Sequence, residues 1–502
     1  MSGPLAFAAP ARVGRAWSGA VSQLRRRGFA RSVAQTAGFN VAAVAAGGLG
    51  GIIIARAVGP TVRGEYAAVT AWMGVLQIVG GVGQPAAVVY YVAREPSRAR
   101  EYVAASRVMM LVTGAVVLVV GFLLAPVLAH GVPAMTLGYR IAFGTLIVMF
   151  VGGSFTASLQ AWDLHQWNVI RVMQPTACLI AIVVLWRLRR LTLDDALIVI
   201  AGSAVLQLIW AYGYCRRTGL APGRARVALI RPLAAYGAAQ IAALTPATLN
   251  AQLDQLVLSQ TVPAADLGRY AIAVSISLLP MPLVGAIGYV ALPRLAAQRE
   301  ITGTTRRFQR LSVLVGAGLA VATLVPMAAV SSWLVPLVFG PAYHGVAPLL
   351  WILTPGSVFL ACGQVTGDLL RGRGEPKVVA VAQGIAAIFT VVLLFALLPL
   401  VGVYGAAIAS TIAYGVALVA MLRSLSRQPP APGRHRRTSQ NSLPSPGRRP
   451  AGHAPQVSAG RQAELMSTAL DRPHCPAVPW HGSARWNAMR HAQVRPRECV
   501  GP

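Results

Sequence analysis

"ARAVGPTVRGEYAAVTAWMG", residues 55–74, lies between two long apolar runs, and "SQTVPAADLGRYAIAVSISL", residues 259–278, has the same form. In both, an apolar run gives way to a short polar turn, a glycine, a tyrosine two positions on, an alanine, and a second apolar run. Gly64 and Tyr66 recur as Gly268 and Tyr270, 204 residues later. Glycine lets a chain reverse tightly, and an amphipathic tyrosine ring is comfortable at a membrane–water boundary. Each turn alone reads as a helix start. Its recurrence implies two halves of one design.

The composition around these turns excludes an ordinary soluble protein. Of 502 residues, 55% are hydrophobic and 12% charged, and the mean hydropathy is +0.59. Soluble domains carry roughly a quarter charged residues. The formal net charge of +30 sits between apolar runs, at the amino end and after position 427. A nucleic-acid binder would gather it on one face beside stacking aromatics. No nucleic-acid partner is expected. The five cysteines are scattered without metal-ligand spacing, so neither a disulfide framework nor a zinc site is indicated. The basic amino end leads into a span-length run and shows no cleavable signal pattern.

A spanning helix needs about 20 mostly apolar residues. Twelve candidates follow: 33–55, 65–92, 104–128, 137–160, 168–187, 195–215, 232–259, 268–292, 311–338, 346–370, 377–398 and 402–423. With the amino end inside, 24 Arg or Lys residues up to position 422 fall on cytoplasmic segments and 7 on external ones. That asymmetry fits an even number of spans with both termini cytoplasmic. The expected organisation is a basic cytoplasmic segment (1–32), a first six-helix lobe (33–216), a second (217–427) and a basic, Pro/Arg-rich disordered tail (428–502). Two lobes in the same orientation are a transporter architecture, with the path between them.

No enzyme signature is present. Asp194 and Asp195 follow three arginines at a helix start, where acids favour the helix dipole. "RGRGEP" at 371–376 follows no strand, so a phosphate-cradling loop is not indicated. No cofactor is expected.

Ionisable residues inside spans are functional candidates because their insertion is costly, about 2.5–3.5 kcal/mol each. Asp254, with Asn250 four residues earlier, is one; pairing and ion coupling are equal readings for it. Asp368 is another, and Arg371 three residues on is its natural partner. Thr245, Thr248, Gln252, Gln255 and Ser259 form a polar stripe along the seventh helix, which faces other helices or water. Pro246 is expected to kink that helix. The first helix offers Asn40 and the run Gly47, Gly48, Gly50 and Gly51, read either as a bendable point or as tight interhelical packing.

"IIIARAVGPTVRGEYAAVTAW", "NAQLDQLVLSQTVPAADLGRYAIAVSI", "LVPLVFGPAYHGVAPLLWIL" (334–353) and the segment 372–416 together resemble the polysaccharide exporters. These are the Wzx-type flippases of the multidrug/oligosaccharidyl-lipid/polysaccharide superfamily. The resemblance implies an all-α, MATE-like membrane transporter with two six-helix lobes around a central cleft. It would carry a lipid-linked oligosaccharide from the inner to the outer leaflet of the plasma membrane. It also implies partners: the bilayer, the lipid-linked glycan, and a glycan polymerase or glycosyltransferases. Arg140 and Arg171 are the candidate cations for a diphosphate head. The rival functions are a cation-coupled multidrug exporter of the same superfamily and a membrane glycosyltransferase or polymerase. An acid deep in an amino-terminal helix would mark the exporter, and an acidic motif in a long external loop the transferase. Neither is present.

Overall fold

A computed structural model describes residues 11–220, 223, 225–250, 252–296 and 303–427, with side chains from residue 35 on apart from 37, 239, 242–249, 289–290, 292–294, 296 and 304. Residues 1–10 of the basic amino-terminal segment and the tail expected over 428–502 lie outside the described residues.

All regular structure among the described residues is helical. In chain order the helices are α1 (Ala11–Gly81), α2 (Gln84–Arg94), α3 (Ala99–Leu128), α4 (Pro133–Trp162), α5 (Leu164–Arg187), α6 (Leu193–Arg217), α7 (Ile230–Asn250), α8 (Leu253–Thr261), α9 (Ala264–Ser277), α10 (Met281–Ala296), α11 (Gly303–Phe339), α12 (Val346–Gly372), α13 (Pro376–Val401) and α14 (Val403–Ser426). Without water in a bilayer core, a helix satisfies its backbone internally, and the exposed faces agree. Leu123 and Val127 of α3, Leu314 and Trp333 of α11, and Phe395 of α13 all point outward. The chain is a multi-pass membrane protein.

Among the described residues, nine helices are long and apolar enough to cross a membrane, or ten if the bent pair α9–α10 is one span. Length and hydropathy do not give the expected twelve, because Gly38–Gly81 counts as one helix although Gly59 divides it into two arms, and because the seventh and eighth segments are divided. Segment 65–92 is split at Val82 (φ 44°) and Gly83 (φ 60°), so α2 continues the second arm of α1. Segment 232–259 is divided into α7 and α8, and segment 268–292 bends by 42° between Ser277 and Met281.

Local signals set several ends. Thr192 and Asp195 form a capping box at α6: the Thr192 hydroxyl accepts from the Asp195 amide at 3.3 Å, and the Asp195 carboxylate accepts from the Thr192 amide at 3.1 Å. The acid pair 194–195 is thus a helix start, as its position implied. Asp163 caps α5 by accepting from the amides of His165 and Gln166. Pro133 and Pro376 occupy first-turn positions, where a missing N–H costs nothing.

The kink in the opening motif falls at Gly59 (φ 76°), which breaks α1 into two arms. Gly64 lies inside the second arm, so its expected role in turning the chain is corrected here. One core cluster joins Ala55, Ala67 and Ala68 of α1 to Leu258, Tyr270, Phe339, Leu350 and Leu394. A second joins α2, α3, α4 and α6 around Val103, Phe155 and Cys215. A third packs Val69 and Met73 against Tyr139, Phe143 and Leu146.

Candidate functional site

The two copies of the repeated turn meet each other. A methyl group added at Gly64 would overlap the carbonyl oxygen of Ala264, and one at Gly268 would overlap that of Pro60. Each glycine's missing side chain lets the opposing backbone in. These glycines are needed for close approach rather than for φ, a reading equally open to a sequence but unsupported until the two copies are seen together.

A second such contact lies nineteen residues further along, where Gly83 and Gly237 meet and a methyl on either would overlap the other segment's backbone. Nineteen helical residues span about 28 Å, close to the roughly 30 Å hydrocarbon core of a bilayer. The second arm of α1 with α2 therefore touches the later half at both ends. The Gly83 end is reinforced by aromatic stacking: Tyr90 lies on Tyr236 at 4.6 Å, and Tyr91 meets the same ring at 6.0 Å.

Between the ends sit α7 and α8. The expected continuous stripe is interrupted, because α7 ends at Asn250 and α8 begins at Leu253. Gln252 stands before the first turn of α8 with φ −116° and ψ −15°. The break turns the polar groups in two directions. Ser259 accepts a hydrogen bond from the Trp72 indole at 3.1 Å, and Gln252 lies across from Gly74, both toward the second arm of α1. Asn250 and Asp254 instead turn into the later half. Gln255 is half-buried, and the side chains of Thr245 and Thr248 lie outside the described residues.

Asp254 is 3% exposed. Its carboxylate accepts from the Tyr270 hydroxyl at 2.5 Å, from Ser410 of α14 at 3.4 Å and from the Gln255 amide at 2.7 Å. Tyr270 is wholly buried, so its expected place at the water boundary is corrected. Asn250 accepts from Thr390 of α13 at 2.7 Å, while its amide nitrogen has no partner among the described residues. Asn250 also lines a cavity of about 220 Å³ with Gln364, Gln383, Tyr414 and Arg371. Asp368 pairs with Arg371 at 2.8 Å, and Gly288 of α10 makes room for its other carboxylate oxygen.

The remaining candidates stand apart. Arg140 is exposed and lies over Phe122 at 5.8 Å; Arg171 lies over Trp167 at 4.3 Å. Cations on aromatic faces are common at membrane interfaces. Asn40 is half-buried on α1. The glycine run does not bend α1, which is helical through it. Nor does it pack tightly: a methyl at Gly47, Gly48 or Gly51 would meet nothing within 4 Å.

Two further cavities were not foreseen. One, of about 360 Å³, lies between the halves beside the paired turns and is lined by Glu65, His130, Ser259, Gln260 and Leu267. The other, of about 400 Å³, lies against α1, α5 and α6 and includes Arg63, Gln174 and Cys178. The sequence places Arg63 among the seven charges expected on external segments. Its position one turn from Tyr66, within a polar turn that opens an apolar run, is the signal available in the sequence.

With this geometry in view, known proteins place the fold. Residues 29–299 match the family described as "Polysaccharide biosynthesis protein". The chain is 30% identical over 179 residues to the lipopolysaccharide biosynthesis protein WzxC of Escherichia coli (strain K12), covering 35% of this chain and 36% of that protein. It is 25% identical over 160 residues to the amylovoran biosynthesis protein AmsL of Erwinia amylovora, covering 32% and 41%. These matches thus span about two-fifths or less of each relative. Among solved structures, the lipid II flippase MurJ in an inward closed conformation superposes with a TM-score of 0.67 at 12% identity, over 78% of this chain and 88% of that one. An inward-facing MATE family multidrug resistance transporter of the MOP superfamily superposes with a TM-score of 0.64 at 13% identity, over 76% and 94%. The fold is that of the MOP superfamily.

Proposed function

Because the chain belongs to the polysaccharide biosynthesis protein family and has a MOP-superfamily fold, we propose that it is a transporter, not an enzyme. It flips a lipid-linked oligosaccharide or polysaccharide precursor from the inner to the outer leaflet of the plasma membrane. The two lobes, 33–216 and 217–427, rock about their shared contacts, and both termini lie in the cytoplasm. Its partners are the bilayer, the lipid-linked glycan, and the glycosyltransferases or polymerase that make and use that glycan.

The observation that carries this reading is the pair of backbone contacts at opposite ends of one broken span. Alternating access needs two seals, one opening as the other closes, around a path whose polar lining spares the sugar head the hydrocarbon. Gly64–Gly268 and Gly83–Gly237 supply a seal at each end. Ser259, Gln252 and Glu65 supply polar surface between the halves. Asp254 and Asp368 are the residues through which an ion gradient would be coupled. The carriage of a lipid-linked glycan rather than a drug rests on the family and on the names of WzxC and AmsL.

Gly64→Val holds the outer seal open and Gly237→Val the inner one. In proteoliposomes each variant is expected to insert normally and to lose flipping of a fluorescent prenyl-diphosphate oligosaccharide. A cysteine at Ser259 or Gln252 should gain reactivity to a water-soluble thiol reagent added outside in the first variant, and from the cytoplasmic side in the second. Flipping at the wild-type rate in both variants sinks the proposal. Export of cationic drugs without glycan-lipid movement would replace the cargo and keep the two seals.

A further inference from the structure

Arg63 carries a guanidinium that the fold buries, with no acid paired to it among the described residues. It is 9% exposed, and its Nε has no hydrogen-bond partner. The Tyr66 ring lies 5.3 Å from the guanidinium carbon. A ring face offsets part of the desolvation of a cation but accepts no hydrogen bond in the guanidinium plane. A buried charge in a native protein is ordinarily paired.

The space beside it is shaped to receive a partner. The cavity of about 400 Å³ has Arg63, Tyr66, Gln174 and Cys178 as its polar groups and no carboxylate in its lining. The neighbouring acid, Glu65, faces the other cavity, between the halves. Gly47 and Gly51 hold the space open, since side chains there would project into it unopposed. Ile54 and Ile182 supply an apolar wall.

We propose that this cavity in the first half is a binding site for a phosphate-class oxyanion, gripped by Arg63 and assisted by the Gln174 amide. The guanidinium presents a planar fork of donors that matches two oxygens of a phosphate. Phosphate is also the oxyanion that a bilayer supplies at its interface, and the apolar wall gives an attached chain somewhere to lie. The site lies beside α5 and α6, away from the polar surface between the halves. Its test reads binding and does not depend on the flippase reading.

The full-length protein, purified in detergent, is challenged with dihexanoyl phosphatidic acid, with inorganic phosphate, and with dihexanoylglycerol as a neutral match. Binding is followed by native mass spectrometry and by the rise in melting temperature. Wild-type protein should bind phosphatidic acid, inorganic phosphate or both, and not the neutral lipid. Arg63→Gln should weaken that binding by about tenfold or more, the loss expected for a charge-assisted pair. Gly51→Val retains the arginine, fills the cavity and should weaken binding similarly. Preference for phosphatidic acid identifies a lipid headgroup as the source, and equal binding of inorganic phosphate identifies a free anion. Absence of binding by wild type to both phosphates, binding of the neutral lipid as tight as that of phosphatidic acid, or undiminished binding by both variants overturns the proposal.

Discussion

The two tyrosines of the repeat occupy matching positions and serve opposite charges. In the later half, Tyr270 donates its hydroxyl to Asp254, whose carboxylate also accepts from Ser410 and the Gln255 amide. In the first half, Tyr66 lies beneath Arg63, whose Nε has no partner. The same turn therefore frames an anion with three donors in one half and, in the other, a buried cation whose Nε has no partner among the described residues. A saturated buried charge contributes to holding helices together. An unsatisfied one is a cost that the fold tolerates for a ligand or a step of the cycle.

Removing the two charges should therefore have effects of different size and sign. Asp254→Ala leaves a buried tyrosine hydroxyl, a serine and an amide without their acceptor, and should destabilise by about 3 kcal/mol. Unfolding in detergent by a graded denaturant would read this directly, and adding Tyr270→Phe should recover part of the loss. A wild-type midpoint for Asp254→Ala would break the comparison at its stronger side. Thr390→Val removes the hydrogen bond to Asn250 and should cost about 1 kcal/mol, the ordinary net value of one such bond. Asp368→Asn, whose partner Arg371 is partly exposed, should cost less than about 1 kcal/mol. Arg63→Met should be smallest, about neutral or slightly stabilising, since it replaces an unpaired buried cation by an apolar chain. A loss above about 2 kcal/mol there would mean that Arg63 has a structural role after all.

Much of this molecule is legible in its sequence, and the failures are instructive. The helical positions follow from apolar length, because a bilayer admits little else. The capping box at Thr192 is readable because it is local. The glycine run at 47–51 was readable as unusual but not as a cavity wall, since an empty neighbourhood leaves no mark on the residues beside it. The polar stripe 245–259 was drawn on an unbroken helix. Because α7 ends at Asn250 and α8 begins at Leu253, Gln252 and Ser259 turn toward α1 while Asn250 and Asp254 turn toward α13, α9 and α14. Length alone gives fewer than twelve spans because Gly38–Gly81 holds two arms in one helix and because segments 232–259 and 268–292 are each divided in the fold.

The sequence alone determined the solvent, the secondary structure and the existence of a repeat. Each rests on quantities that add along the chain: transfer free energy per residue, helical rise, and the recurrence of a pattern at 64 and 268. Only the tertiary structure decided that the two turns touch, that Tyr270 is buried on an acid while Tyr66 lies under an arginine, and that Arg63 faces a cavity. Those outcomes depend on which surfaces meet across 204 residues of chain. Close packing makes that a property of shape, which no single stretch contains.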